Sequence, residues 1–131
     1  MADALLDLPL TRIAAALQAG ETTSRALTEA AIGRAAALQP RFNAFVQVLA
    51  DRALAQADAR DAERRAGRVR GPLHGIPLAH KDCFERVGVA MTVGSAVIEP
   101  APGQRDATVL SRLDAAGAID LGRLNLAEFV A

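Results

Sequence analysis

The chain has no tryptophan, no tyrosine, a single cysteine, and a single lysine among its fifteen basic residues. Each scarcity excludes something. With Cys83 alone, no disulfide can close within the chain, and a free thiol fits a reducing cytosol. With four phenylalanines as the only aromatics, the apolar half of the composition is mostly alanine, leucine and valine. Fifteen acidic residues balance the fifteen basic ones, so no net basic field draws nucleic acid or an anionic membrane. No apolar run is long enough to span a bilayer. The acidic start, Met1-Ala-Asp-Ala-Leu-Leu-Asp7, lacks the basic n-region of a secretory peptide. No glycine pattern for phosphate or dinucleotide binding occurs, and no cofactor is implied. A length of 131 residues suits one domain with its own core, expected to reside in the cytoplasm.

What is present centres on Gly71-Pro-Leu-His-Gly-Ile-Pro-Leu-Ala-His-Lys-Asp82. Glycine and proline punctuation gives way to an apolar run, which delivers Lys81, the only lysine. Everywhere else this chain uses arginine for positive charge. A lysine can lose its proton when desolvated, whereas a guanidinium effectively cannot. Partial burial behind Ile76 to Ala79 would move Lys81 toward use as a general base. The alternative is a strand-end lysine with its head in water.

Around this stretch the pattern predicts an α/β fold: an N-terminal helical hairpin, then a mixed or parallel sheet flanked by helices. Leu10, Ile13, Ala14 and Leu17 fall at helical spacing up to Gly20. Thr22 or Thr23 caps a second helix with the stripe Leu27, Ala31, Ala35 and Leu38, and Pro40 is expected just beyond its end. Phe42 to Leu49 reads as a strand, and Asp51 to Ala66 as a helix stopped by Gly67. On that helix Asp61 and Arg65 are one turn apart, and Arg60 and Glu63 are within reach. The arginines at 60, 64, 65, 68 and 70 read as a solvated face relieved by acidic neighbours, with a nucleic-acid patch as the alternative. Ile76 to Cys83 is the next strand, joined to the first by a parallel crossover. Phe84 to Arg105 is a long connection of the kind that is often functional. Asp106 is expected to cap a helix that buries Val109, Leu110, Leu113 and Ala116 and ends at Gly117, before a short strand from Ala118 to Leu121. Asn125 and Glu128 resemble a capping box opening a last helix, cut off in mid-element at Ala131. Residues 1–131 therefore read as the N-terminal part of one larger α/β domain.

Five blocks in register carry a family resemblance. They are Leu73-His-Gly-Ile-Pro-Leu-Ala-His-Lys-Asp82, Thr92-Val-Gly-Ser95, Asp106-Ala-Thr108, Ala116-Gly-Ala118 and Leu121-Gly-Arg-Leu-Asn-Leu-Ala-Glu-Phe129. Together they resemble the amidase signature family. That family includes stand-alone amide hydrolases and the amidase subunit of a tRNA-dependent amidotransferase. The resemblance implies cleavage of a small-molecule amide by a Ser–cis-Ser–Lys group, with Lys81 as its base. Neither catalytic serine maps onto this chain, whose serines are Ser24, Ser95 and Ser111. Ser95 is a candidate for lining the substrate site, or a turn residue. Asp82 either orients Lys81 or caps a turn. His74 is expected to be a structural hydrogen-bonder. The set His74, His80, Asp82 and Cys83 matches no recognised zinc spacing, and no metal is expected. Cys83 and His80 depart from the family's usual asparagine and apolar residue. The readings carried forward are an amidase-type hydrolase, a tRNA-amidotransferase subunit, and a non-catalytic α/β module that binds a partner through its sheet edge.

Overall fold

The computed structural model describes residues 2–131. The elements, in chain order, are α1 (Ala2–Leu5), α2 (Leu10–Ala19), α3 (Ser24–Phe42), β1 (Phe45–Val48), α4 (Ala50–Arg65), β2 (Pro77–Lys81), β3 (Ala90–Met91), β4 (Ala101–Pro102), α5 (Thr108–Ala115) and β5 (Ile119–Leu124). A 3-10 turn, Glu128–Val130, follows. The α/β class and the N-terminal helical pair are as the pattern predicts.

The helices begin and end for local reasons. Gly20 adopts φ 73 and returns its N–H to the last turn of α2. Thr23 caps α3 by accepting the Ala26 N–H at 3.0 Å. The remaining N-terminal donors of α3 are met from a distance. The buried Asp61 carboxylate of α4 accepts Ser24 N–H at 2.8 Å and Arg25 N–H at 3.0 Å. A carboxylate there also suits the positive end of the α3 dipole. Asp61 is thus a tie between two helices, not the partner of Arg65 that one-turn spacing suggests. Pro40 lies inside α3, which continues to Phe42. In the final turn its missing donor costs one hydrogen bond, and Asn43, at φ 46, closes the helix by donating to Gln39 O. Leu38 is 44% exposed, so the buried stripe of α3 ends at Ala35.

The sheet corrects the expected crossover. Its strand order is β1-β5-β2, with β5 parallel to β2 and antiparallel to β1. The strands on either side of α4 are therefore not neighbours. The parallel pair is β2 and β5, whose connection carries α5. That connection also holds the two-stranded β3–β4 ribbon. Asp106 does not cap α5: its Oδ1 accepts Val87 N–H at 2.9 Å, and Val109 is exposed. Leu110 is the buried anchor of α5, and Gly117 follows the helix at φ 85, as expected.

Two apolar clusters hold the layers together. Ile13, Leu17 and Leu27 meet Ile76 on one side. Ala53 and Ala57 of α4 meet Ile119 and Leu121 of β5 on the other. The alanines let α4 lie close on the sheet.

Register slips on both edges of β5, through an extra residue of β5 against β2 and an extra residue of β1, Val46, against β5. Leu78 opposes Asp120 but Ala79 opposes Gly122, so Leu121 is an extra residue on β5. On the other edge Phe45 opposes Leu124 and Gln47 opposes Arg123. A bulge shifts side-chain alternation by one, which brings Asp120 and Arg123 to the same face. Gly122 sits at φ 150, and a Cβ there would lie 2.2 Å from Gln47 O. We expect Gly122→Ala to destabilise the fold by about 1–3 kcal/mol, the usual range for forced overpacking. Urea unfolding monitored by circular dichroism measures this.

Candidate functional site

Lys81 is the last residue of β2, at the carboxyl end of the parallel pair, where open α/β sheets hold their ligands. Its side chain is exposed, not partly buried as the preceding apolar run suggests. β2 is an edge strand, so that run covers the strand body while its last side chain reaches out. The ammonium nitrogen is nevertheless held. Nζ donates to the main-chain oxygen of Asn125 at 2.6 Å, just past the end of β5. A shallow hollow of about 410 Å³ opens here, lined by Phe42, Asn43, Ala44, Lys81, Leu124, Asn125 and Leu126.

Asn125 is itself tied down. Its N–H donates to Ala44 O at 2.8 Å, its Nδ2 donates to Asn43 O at 3.2 Å, and its Oδ1 accepts Leu126 N–H at 3.0 Å. It does not open a helix: Ala127 precedes the 3-10 turn, and no side chain caps it. Glu128 is engaged elsewhere, accepting the Ser95 hydroxyl at 2.7 Å.

Asp82 serves the turn. It is 0% exposed. Its Oδ2 accepts both Thr92 N–H at 3.0 Å and Thr92 Oγ1–H at 2.6 Å, so it caps the turn opening the 92–95 loop. Its main chain donates to Leu124 O and accepts from Val93 N–H. Oδ1 is buried without a hydrogen-bond partner. Val93, a β-branched residue, takes φ 53, a costly conformation that persists only where surroundings impose it. The next residue, Gly94, passes so close to Leu126 O that a Cβ would lie 2.9 Å away. The loop is therefore clamped between Asp82 and the segment after β5. Ser95 is 5% exposed within this clamp, its hydroxyl spanning Glu128 and Val97 N–H.

The other candidates go to separate neighbourhoods. His74 is buried, accepts Arg70 N–H at Nδ1 and meets Arg60 O from Nε2 at 3.0 Å, the pattern of a neutral ring protonated at Nε2. It is the structural hydrogen-bonder expected, fastening the 71–75 turn to α4. Three of the five clustered arginines are occupied by the fold, Arg60 and Arg70 both binding Glu63 and Arg64 donating to His74 O, while Arg65 and Arg68 are exposed. Hydrogen bonding from Arg70, against opposing burial and with help from Arg60, holds the Glu63 carboxyl down at about 2. Among the described residues no group of three His, Cys, Asp or Glu side chains is placed to hold a metal.

One buried assembly is not foreseen from the sequence. Arg86, Asp120 and Arg123 are each 1% exposed. Arg86 Nε donates to Asp120 Oδ2 at 3.0 Å, its other nitrogens bind Asp114, and Asp106 lies 3.5 Å away. Arg123 Nη1 donates to Asp120 Oδ1 at 3.3 Å. His80, beside Lys81, points at the same carboxylate from 3.7 Å. Burial keeps its imidazole below the ordinary range; Asp120 opposes this, while Arg123 and Arg86 reinforce it. The available signal is a charged pair, Asp120 and Arg123, inside an otherwise apolar strand.

The comparisons with known proteins bear on this geometry. A family model described as Amidase matches residues 26–131. The chain belongs to the amidase family. It is 50% identical over 117 residues to the glutamyl-tRNA(Gln) amidotransferase A subunit of Halorhodospira halophila, covering 89% of this chain and 24% of that protein. The corresponding protein of Thermobifida fusca is 43% identical over 125 residues, covering 95% and 25%. Among solved structures, the peptide amidase of Stenotrophomonas maltophilia superposes with a TM-score of 0.89 at 40% identity, covering 97% of this chain and 26% of that one. A fatty acid amide hydrolase superposes at 0.82 with 27% identity, covering 96% and 22%. The chain thus spans about a quarter of the length of the amidase relatives it matches.

Two stability effects follow from the buried charges. Asp120→Ala leaves Arg86 and Arg123 without their shared partner, and we expect a loss of about 3–5 kcal/mol in urea unfolding. His80 acts through pH. Its unfolded ring titrates near about 6.5 while the folded ring titrates lower, so the unfolded state binds more protons in between. Its contribution is complete above about pH 6.5 and is lost as pH falls toward the folded value. The unfolding midpoint should therefore drop from about pH 7.5 to about 5.5, and that slope should flatten in His80→Leu. An unchanged slope would remove His80 as its source.

Proposed function

We propose that the protein cleaves a carbon–nitrogen amide bond, with Lys81 as the terminal proton acceptor. The observation that carries this is the chain's only lysine, at the carboxyl end of a parallel strand pair in an amidase-family chain, with Nζ anchored on a main-chain oxygen. In the proposed reaction a serine hydroxyl attacks the amide carbonyl. Its proton passes through a second serine to the Lys81 amine. The tetrahedral intermediate then expels ammonia or an amine, which takes the proton back, and water releases the acid. Neither serine maps onto these 131 residues, so both are assigned to the remainder of the protein. Ser95 is proposed as part of the site wall, where its bond to Glu128 supports the loop beside Asp82.

Two substrate classes compete within this reading. Likeness to amidotransferase A subunits favours the carboxamide of glutamine as an ammonia source for a tRNA-dependent partner reaction. Likeness to a peptide amidase favours a free peptide carboxamide. Among the described residues no helix is long and apolar enough to cross a membrane, and the free Cys83 fits the reducing cytoplasm we propose as its location.

Ammonia release by the full-length protein from glutamine, peptide amides and short aliphatic amides tests the activity and separates the classes. Lys81→Arg should damage kcat/KM nearly as much as Lys81→Ala, each by about 10²–10⁴-fold, because a guanidinium cannot accept the proton. An arginine variant within a few-fold of wild type would show that only the charge matters and would remove Lys81 from the base role.

A further inference from the structure

We infer that Asn125 is a positioning residue for Lys81, coupling the end of α3 to the amine. The inference rests on the reading of Lys81 as proton acceptor. A neutral amine has two N–H groups and one lone pair. A main-chain carbonyl can only accept, so Asn125 O takes an N–H at 2.6 Å and leaves the lone pair free. It thereby confines that lone pair to the two remaining tetrahedral positions. A carboxylate in its place would instead favour the ammonium form. The carboxylate of the next residue, Asp82, makes no bond to Nζ: its Oδ2 is bonded to Thr92.

The orienting oxygen is only as fixed as the residue that bears it. Asn125 lies one residue beyond the last strand residue, Leu124, where a single main-chain bond, its N–H on Ala44 O, holds it to the segment before β1. Its side chain adds two bonds to that one: Nδ2 reaches Asn43 O, and Oδ1 closes a local turn with Leu126 N–H. Asn43 is the left-handed residue that ends α3. The helix end, the amide side chain and the carbonyl thus form one rigid path to Nζ.

Steady-state kinetics on the full-length protein tests this with Asn125→Ala, Asn125→Ser, Lys81→Ala and the Lys81→Ala double variants. Alanine removes both side-chain bonds. Serine keeps a local acceptor for the turn, adds no charge and cannot reach Asn43, so it preserves the fold should alanine not. Both should lower kcat on the order of 10- to 10²-fold, the scale of misplacing a catalytic group by about 1 Å, while KM stays within a few-fold. On the Lys81→Ala background either substitution should cost no more than about twofold further, because the residue acts through the lysine. Loss of the same size on both backgrounds, or kcat of Asn125→Ser within about twofold of wild type, overturns the inference while leaving Lys81 as the base. Near-wild-type kcat in Lys81→Ala overturns the reading of Lys81 and the inference with it.

Discussion

Asp120 is the constraint around which the sheet is arranged. An ionised carboxylate with 1% exposure is tolerable only with opposite charge and hydrogen bonds close by. Arg86 supplies one guanidinium from the long connection, and Arg123 supplies the other from the same strand. A regular strand would send residues 120 and 123 to opposite faces. The extra residue in β5 removes that conflict, and Gly122 lets the distorted strand approach β1. The bulge, the glycine and the salt-bridge group therefore stand or fall together.

The candidate site inherits its geometry from that arrangement. β5 runs between an antiparallel and a parallel neighbour, so its carboxyl end brings Asn125 beside both Asn43 and Lys81. Asp82 continues the fastening on the other side, through Thr92 and Val93 to the loop carrying Ser95. The site is built from strand ends and short clamped segments, while the apolar clusters lie behind it. Positive φ at Val93 fits such a place, since strain survives where several bonds over-determine a conformation.

Much of this is legible in the residues alone. The helix periods of α2 and α3, the stop at Gly20, the cap at Thr23 and the glycine after α5 follow from local chemistry acting within a few residues. So does the singularity of Lys81. What is not legible depends on residues far apart in sequence. Asp61 has an arginine one turn away on its own helix, yet it spends its carboxylate on the amino end of α3, where two unpaired N–H donors compete more strongly. Asp106 stands where a helix cap belongs but binds Val87 N–H, leaving Ala107 as the cap. The true crossover is hidden because a strand–helix–strand pattern does not say which later strand will lie between. His80 gives no hint of Asp120, since their proximity depends on pairing β2 with β5.

The chemistry at Lys81 is consistent with its neighbours' commitments. Among the described residues no carboxylate pairs with Nζ: Asp82 Oδ2 is bonded to Thr92, and Glu128 Oε1 to Ser95. The group left to the amine is a carbonyl, which accepts an N–H whether or not the lysine is charged. A surface lysine meant only to carry charge would gain from a carboxylate partner, although such exposed pairs are worth only about 0–1 kcal/mol. A lysine that must pass between charged and neutral forms gains more from a fixed acceptor that serves both. In a chain that otherwise uses arginine throughout, that requirement gives a physical reason for one lysine at this strand end.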